Sequence, residues 1–400
     1  MNLKVFNHEH FFEGVEKLLE VWFISHKDHT CDLRRIPRSV WETLLQCVKC
    51  EIISYSQNEL IDAYVLSESS MFISKRRWIL KTCGSTTPLQ CLKSLLQIAS
   101  QYGCGEVSDL FYSRKNFDRP ELQTFPHRAF NEEFSLLDSI FKDGRSYCLG
   151  SINRDCWYLY TYSMKTTHNN ETKMANMEPD QTVEILMKNL DSNTMSIFAK
   201  EKSSSAAEAT MKSGIHHIIP EMAIDDYLFD PCGYSMNGIT DNGQYMTIHI
   251  TPEKEFSYVS FESNIALSNY AALIGRVIRT FQPEKFMITI FANTVSEMFF
   301  MSRDKKKIVW EGGQFPPPPP RFGGWGHITQ IRLNIEKNYI KKEWLNLDNF
   351  CLLIFKAKHP RLNILFKLGS YVKQFLRKLM PNLKFGKKIP KKHFWSQFYF

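Results

Sequence analysis

Between residues 11 and 300 the chain repeats one pattern, in which short stretches of alternating apolar and polar residues are separated by amphipathic segments. Alternation with a period of two is typical of strands with one face toward a core. The stretches of this kind are Ala63–Phe72, Trp78–Thr82, Trp157–Ser163, Tyr245–Ile250, Phe256–Glu262 and Phe286–Phe291. The amphipathic segments, which predict helices, are Phe12–Trp22, Leu89–Tyr102, Thr182–Leu190 and Asn269–Phe281. Strands and helices mixed in one run predict an α+β domain of layered sheets and helices.

The pattern ends near residue 300, where the composition changes. Five consecutive prolines, Pro316–Pro320, lie among glycines, and prolines in series favour polyproline II over a sheet. We therefore predict a folded domain over residues 1–300, a Gly/Pro-rich linker over 301–326 and a basic tail over 327–400. Residues 301–400 hold 21 Lys and Arg against five Asp and Glu, so the rest of the chain is net acidic. Because the positive charge is confined to this end, we expect no nucleic-acid and no membrane partner, although a tail that tethers the protein to either one stays an alternative.

The apolar content and the N-terminus indicate a soluble, cytoplasmic protein. Hydrophobic residues make up 43% of the chain, enough for a large core, but the longest apolar runs, such as Cys351–Phe355, are far shorter than a membrane helix of roughly 20 residues. The first ten residues lack the apolar region of a signal peptide. Ten cysteines at irregular spacing then predict reduced thiols rather than a disulfide framework.

The segment richest in chemistry is Tyr64–Phe72, together with Lys75–Gly84 after it. By itself, the sequence Ser-Glu-Ser-Ser within it predicts a hydroxyl-rich turn between two strands. The whole stretch resembles the self-processing segment of eukaryotic, animal-like S-adenosylmethionine decarboxylase proenzymes, which are cut between the residues that match Glu68 and Ser69. The resemblance implies a β chain of residues 1–68 and an α chain whose first residue, Ser69, becomes a pyruvoyl cofactor, with no metal and no pyridoxal phosphate.

A serine is needed at the cut because its hydroxyl can attack the preceding carbonyl carbon, provided that a strained turn and oxyanion donors assist. Loss of the Ser69 Cα proton then eliminates the Glu68 carboxylate and leaves dehydroalanine, which hydrolyses to pyruvoyl and ammonia. In the mature enzyme the pyruvoyl ketone forms a Schiff base with the substrate amine and withdraws electrons as carbon dioxide leaves.

Two distant segments, Phe229–Gly238 and Tyr245–Glu253, resemble the family's processing and binding motifs. The resemblance implies that Ser235 assists processing, that His249 removes the Ser69 Cα proton and that Cys83 protonates the substrate carbon after decarboxylation. Without the resemblance, His249 between two isoleucines predicts only a core or edge histidine, and Cys83 a buried strand cysteine.

The segment His10–Trp22 carries three acids that would share one face of the predicted helix, which alone is typical of a solvated acidic stripe. The resemblance implies instead that Glu13 and Glu16 are catalytic. It further implies a substrate site in which Phe12 and Phe229 enclose the adenine, Glu253 holds the ribose hydroxyls and Glu68 is a further substrate-binding residue.

A second acidic group includes Asp180 and Glu184, spaced i, i+4, which alone predicts a helix cap and a surface charge. The resemblance implies that putrescine binds there as an activator, because buried like charges need a cation to neutralise them. The implied putrescine residues are Glu20, Lys81, Asp180, Thr182, Glu184 and Glu262.

The resemblance extends from His10 to about Asn293 and implies a four-layer α/β/β/α sandwich of two antiparallel β-sheets flanked by helices, assembled as a homodimer of αβ units. It also implies the reaction, which is decarboxylation of S-adenosylmethionine to the aminopropyl donor for spermidine and spermine synthesis. Residues 301–400 do not match, so we expect an edge of the second sheet to lack its partner strand. The alternative function is an inactive isoform or a regulatory partner of an active homologue.

Overall fold

The computed structural model describes residues 11–24, 31–67, 69–150, 155–164, 179–268, 270–293, 328–331, 341–346 and 350–358. Glu68 lies outside the described residues, as do the predicted linker and most of the predicted tail. The domain boundaries therefore stay a prediction.

The first sheet has eight strands, and every neighbouring pair is antiparallel. In space they follow the order β2-β3-β4-β5-β1-β6-β8-β7. Their bounds are β1 Lys17–Ile24, β2 Ile52–Gln57, β3 Ile61–Leu66, β4 Ser69–Ser74, β5 Arg77–Thr82, β6 Glu106–Lys115, β7 Arg145–Gly150 and β8 Cys156–Ser163.

The second sheet has nine strands, also antiparallel, in the order β10-β11-β12-β13-β9-β14-β17-β16-β15. Their bounds are β9 Gln181–Lys188, β10 Ala223–Leu228, β11 Tyr234–Ile239, β12 Tyr245–Thr251, β13 Tyr258–Ser263, β14 Lys285–Asn293, β15 Ile328–Ile331, β16 Lys341–Asn346 and β17 Phe350–Lys358.

Helices connect the strands of both sheets. They are α1 Arg38–Gln46, α2 Leu92–Gln101, α3 Phe130–Asp138, α4 Ser192–Ser196, α5 Ala206–Ser213 and α6 Ala271–Phe281, with short 3₁₀ turns at Leu33–Arg35, Pro88–Cys91, Pro120–Leu122 and Ile215–His217. In the described part of the chain, no helix combines the length and apolar character that crossing a bilayer requires.

The apolar side chains form two outer cores and two smaller inner ones. One outer core joins the first sheet to α1, α2 and α3, and the other joins the second sheet to α4, α5 and α6. The inner cores lie between the sheets, where Phe111 packs near Met287 and Phe72 stacks on Tyr245 with ring centroids 4.3 Å apart. The layers are therefore helix, sheet, sheet and helix, which confirms the predicted α/β/β/α sandwich.

Two of the four predicted helices are wrong. Phe12–Trp22 becomes an irregular segment followed by strand β1, and Thr182–Leu190 becomes strand β9. Both strands are buried on their two faces, so their apolar residues do not alternate cleanly and imitate an amphipathic helix. The helices predicted at Leu89–Tyr102 and Asn269–Phe281 are confirmed, as α2 with its leading 3₁₀ turn and as α6.

Two further expectations differ from the structure. Cys31 and Cys104 form a disulfide, so the prediction of reduced thiols is wrong for this pair. Both are fully buried in one core cluster with Cα atoms 4.8 Å apart, within bridging reach.

The edge of the second sheet that was expected to lack a partner strand is paired. Strand β14 lies antiparallel to β17, which falls within the predicted tail.

Candidate active site

Ser69 opens strand β4 in a strained backbone conformation. Its φ is 132°, a region that a residue with a Cβ rarely adopts and that costs of order 1–3 kcal/mol. The side chain is almost fully buried, and its hydroxyl donates to Cys83 Sγ at 3.3 Å. The structure thus brings together the predicted nucleophile and the predicted proton donor, which follows the end of β5.

His249 contacts the residue after Ser69. Its Nε2 lies 2.8 Å from Ser70 Oγ, across the space between the sheets. Ser235 stands opposite His249 in the register of β11 and β12, and both side chains are buried. The predicted processing residues Ser235 and His249 are therefore neighbours, and the ring is next to the predicted cut.

Glu16 holds the other side of the His249 ring, because its carboxylate accepts a hydrogen bond from Nδ1. Burial would raise the pKa of Glu16, but Lys81 and His249 outweigh it and hold that pKa at about 2. Glu16 reaches this place from the irregular segment before β1. Gly14 in that segment packs so closely on Tyr258 that a Cβ would stand 2.7 Å from the Tyr258 Cβ.

Lys81 is fully buried behind Glu16 and pairs with three carboxylates. Its Nζ lies 3.2 Å from Glu16 Oε2, 2.9 Å from Glu184 Oε1 and 2.7 Å from Glu262 Oε2. Burial opposes the charge on Lys81, but these acids outweigh it and hold its pKa well above the usual value. Glu184 remains only partly compensated, since burial raises its pKa despite the contact with Lys81.

The other predicted putrescine acids surround a cation that sequence reasoning missed. Arg77 Nε lies 2.8 Å from Glu20 Oε1, and Arg77 Nη1 donates to Asp180 Oδ1 at 3.0 Å. Burial raises the pKa of Glu20 although Arg77 acts against it. Thr182 lies on β9, two residues before Glu184 and hence on the same face of the sheet. The predicted putrescine residues therefore form two adjoining groups, one around Lys81 and one around Arg77.

Glu13 is held by backbone amides rather than by a helix. Its Oε2 accepts from the amides of Asp118 and Arg119 at 2.8 and 3.1 Å, and its carbonyl accepts from the amide of Gly84 at 2.9 Å. Burial raises the pKa of Glu13 above the usual value. Because Gly84 follows Cys83, Glu13 is tied to the same end of the first sheet as the nucleophile.

Lys17 is another buried cation near Cys83 that the sequence did not single out. Its Nζ donates to the Gly84 carbonyl at 2.9 Å and to Gln123 Oε1 at 3.3 Å. Burial lowers the pKa of Lys17 to about 8. A lysine in the apolar strand β1 was the available signal, but it was masked by the helix prediction for that segment.

Three predicted substrate residues lie on segments outside the strands. Phe12 precedes β1, Phe229 follows β10 and Glu253 follows β12, and all three side chains are half-buried. Among the ring contacts of the described residues, Phe229 packs edge-on against Tyr227 with centroids 4.9 Å apart, and none joins it to Phe12. Glu253 Oε2 is buried with no hydrogen-bond partner in the described part of the chain. Burial and the neighbouring Glu253 carboxylate raise the pKa of the Cys232 thiol, so these two side chains interact.

The chain is similar to known proteins in both sequence and fold. The chain matches the family model for adenosylmethionine decarboxylase over residues 9–315. It is 63% identical over 295 residues to the S-adenosylmethionine decarboxylase proenzyme of Drosophila melanogaster, covering 72% of this chain and 85% of that protein. Identity to the proenzyme of Xenopus laevis is 50% over 292 residues, covering 72% and 85%. In fold, the chain resembles the crystal structure of the Trypanosoma brucei AdoMetDC-delta26 monomer with a TM-score of 0.50 and 23% identity, covering 73% of this chain and 99% of that one.

Proposed function

This chain belongs to the adenosylmethionine decarboxylase family, and we propose that it decarboxylates S-adenosylmethionine with a pyruvoyl group that it makes from its own Ser69. The product is the aminopropyl donor for spermidine and spermine synthesis. The observation that carries the proposal is the strained, buried Ser69 at the start of β4, in contact with Cys83. The alternative of an inactive isoform has no support from the comparisons, and Ser69, Cys83 and His249 are all present.

Self-cleavage begins with attack of the Ser69 hydroxyl on the Glu68 carbonyl carbon. The amide becomes an ester, so the strain at Ser69 is released as the Glu68–Ser69 peptide bond breaks and the Ser69 amine is freed. His249 then takes the Ser69 Cα proton, the Glu68 carboxylate leaves, and hydrolysis of the dehydroalanine releases ammonia. Ser235, opposite His249 in the sheet, assists this step from the neighbouring strand.

The pyruvoyl group supplies the electron sink that loss of carbon dioxide requires. Cys83 holds a proton at Sγ beside the position of Ser69 and delivers it to the substrate carbon after decarboxylation. Glu16 orients His249 through Nδ1, and Glu13, fixed by the amides of Asp118 and Arg119, places its carboxyl group at the same end of the sheet.

The substrate site supports recognition of a cationic nucleoside. Glu253 Oε2, buried without a partner in the described residues, accepts from the ribose hydroxyls. The faces of Phe12 and Phe229 bind the adenine and attract the sulfonium. Glu68 completes the proposed set from outside the described residues.

The buried acids between the sheets support putrescine as an activator. When ionised, five carboxylates surround two cations, Lys81 and Arg77, and leave three negative charges uncompensated; these acids are Glu16, Glu20, Asp180, Glu184 and Glu262. Buried like charges are unfavourable, and the two ammonium groups of a diamine would neutralise two of the three, with Thr182 as a further polar contact. The line from Lys81 through Glu16 to His249 connects this site to the catalytic histidine.

A homodimer of αβ units and a cytoplasmic location remain part of the proposal, since they follow from the family resemblance and the sequence. Sedimentation of the purified protein tests the first point. A monomer mass at micromolar concentration would contradict it.

Intact mass and a denaturing gel of the purified protein test self-cleavage. We expect two chains divided after Glu68, the larger with a blocked N-terminus, and release of carbon dioxide from S-adenosylmethionine. Ser69→Ala should leave one chain. The matched control is Ser67→Ala, which removes the neighbouring hydroxyl that accepts from the Glu51 amide but should still be cut. A single wild-type chain that releases no carbon dioxide would refute the proposed function.

A further inference from the structure

Ser70 Oγ is fully buried and lies within hydrogen-bond distance of three polar atoms. These are Asn237 Oδ1 at 2.7 Å, His249 Nε2 at 2.8 Å and Thr247 Oγ1 at 3.2 Å. Thr247 Oγ1 is also 3.1 Å from His249 Nε2. The four side chains come from β4, β11 and β12 and form a small buried polar cluster between the sheets, next to Ser69.

The direction of each hydrogen bond in this cluster follows from the protonation state of Glu16. Glu16, with its pKa held at about 2, is a carboxylate and only accepts, so Nδ1 of His249 carries a proton. In a neutral ring Nε2 is then an acceptor. Ser70, the nearer hydroxyl, must donate its single proton to Nε2.

Asn237 Oδ1 makes a second acceptor next to the same hydroxyl. Ser70 cannot donate to both, so one of the two contacts would join lone pairs unless the ring held two protons. In this orientation Asn237 Nδ2 is also buried without a partner among the described residues, and a buried unpaired donor is rare in proteins. The two ends of an amide have nearly the same shape, so the same cluster accepts the reversed side chain.

The reversed amide satisfies the contacts of Ser70 and His249 and leaves the Asn237 oxygen, rather than its NH₂ group, without a partner among the described residues, which is the less costly arrangement. Asn237 Nδ2 donates to Ser70 Oγ, Ser70 donates to His249 Nε2, and His249 Nδ1 donates to Glu16. All hydrogen bonds then run in one direction, and the ring is neutral.

We propose that Asn237 and Ser70 are positioning residues that keep His249 neutral and aimed at the cleavage site in the precursor. The inference rests on the proposed function, in which His249 removes the Ser69 Cα proton. A neutral ring is required for that step, and the bond to Ser70 holds Nε2 in the precursor one residue from the carbon that loses the proton. Ser70 then turns its hydroxyl proton toward Thr247 Oγ1, 3.2 Å away, which frees the Nε2 lone pair to accept the Ser69 Cα proton. The other titratable groups that face His249, directly or through Glu16, come from four elements and are Glu16, Lys81, Glu184, Tyr258 and Glu262.

The substitution Asn237→Asp tests the direction of the hydrogen bonds. A carboxylate at this position cannot donate, so Ser70 turns its proton toward it, and Nε2 of His249 must donate in turn. The ring then keeps its second proton to higher pH. We expect self-cleavage at pH 7 to slow at least about tenfold, which corresponds to a shift of about one pH unit in the acid limb, and to recover toward pH 9.

The rate is measured on full-length precursor made by cell-free synthesis, transferred to buffers between pH 6 and 9 and followed on denaturing gels. Recovery at high pH within the same variant separates this effect from misfolding. An Asn237→Asp profile that overlays the wild-type profile would overturn the inference.

A pair of Ser70 variants gives an independent readout and decides the matter if Asn237→Asp does not fold. Ser70→Ala removes the donor to Nε2 and should slow cleavage at every pH, whereas Ser70→Thr keeps the hydroxyl and should restore the rate to within about threefold. Wild-type speed in Ser70→Ala, or equal slowness in both variants, would contradict the proposed role. His249→Ala distinguishes the two proposals. Wild-type cleavage in that variant would show that His249 is not the base assigned to it in the proposed function, whereas slow cleavage there with unaffected Asn237 and Ser70 variants would contradict only this inference.

Discussion

Replacing Lys81 by methionine should reveal how strongly the inter-sheet acids depend on one cation. Methionine has a similar length and fills the space, but it leaves Glu16, Glu184 and Glu262 without the ammonium group that lies 2.7 to 3.2 Å from each of them. Removing one partner of a buried ion pair typically costs about 3–5 kcal/mol, since the remaining charge is buried without compensation. We expect Lys81→Met to lose at least that much stability at pH 7.5.

The assay is urea unfolding of the uncleavable Ser69→Ala chain with and without Lys81→Met, followed by tryptophan fluorescence. With a slope of about 3 kcal/mol per molar urea, the midpoint should fall by about 1–1.7 M. Lys212→Met is the matched control, because Lys212 pairs with Glu208 on the surface, 2.8 Å apart with both side chains exposed, and its loss should leave the midpoint unchanged.

The pH dependence makes this prediction sharper. Acidification protonates the carboxylates that lost their cation. The difference in unfolding free energy between the Lys81→Met chain and its parent should therefore become smaller as the pH falls from 7.5 toward 5. Two results would refute the reasoning: a loss below about 1 kcal/mol at pH 7.5, or a loss that does not change with pH.

Three further outcomes follow from the same geometry. The pKa of Glu16 is about 2 in the folded protein against an ordinary value of 4.5, so its contribution of about 3 kcal/mol to stability is complete above pH 4.5 and is lost as the pH falls toward 2. The unfolding free energy of Glu16→Gln should therefore depend less on pH over that range, and curves parallel to those of the parent would contradict the assignment. Cys83→Ala should lower decarboxylation turnover at least about a hundredfold in the fraction that still cleaves, as measured by release of labelled carbon dioxide, and near-normal turnover would exclude it as the proton donor. Glu253→Gln should raise KM for S-adenosylmethionine about tenfold to a hundredfold with little change in kcat, and an unchanged KM would mean that its unpaired oxygen does not bind the ribose.

Local pattern predicted some elements well and others not at all. Helices α2 and α6 were predicted because each has one apolar face against a sheet and one face toward solvent. Strands β1 and β9 were mistaken for helices because both of their faces are buried, one against helices and one against the other sheet. No short-range signal distinguishes these two situations, since they depend on what lies across the layer.

The functional residues also divide into those that local sequence predicted and those that it did not. The motif around Ser69 and the segments holding Ser235 and His249 were recognisable in the sequence, because their residue types and order are distinctive. The roles of Arg77 and Asn237 were not, since each is a common residue in an ordinary strand. Their partners lie far away in sequence, at separations of 103 residues for Arg77 to Asp180 and 167 for Ser70 to Asn237.

The sequence by itself therefore determined the family, the residues of the proposed chemistry and the mixture of strands and helices. The tertiary structure decided how those residues meet. Two sheets packed face to face turn isolated polar positions on five strands, together with Glu16 from the segment before β1, into one buried network whose charges and hydrogen bonds depend on partners far away in sequence. It also decided the strain at Ser69, because a φ of 132° is imposed by the strands on either side of the turn and not by the preferences of serine.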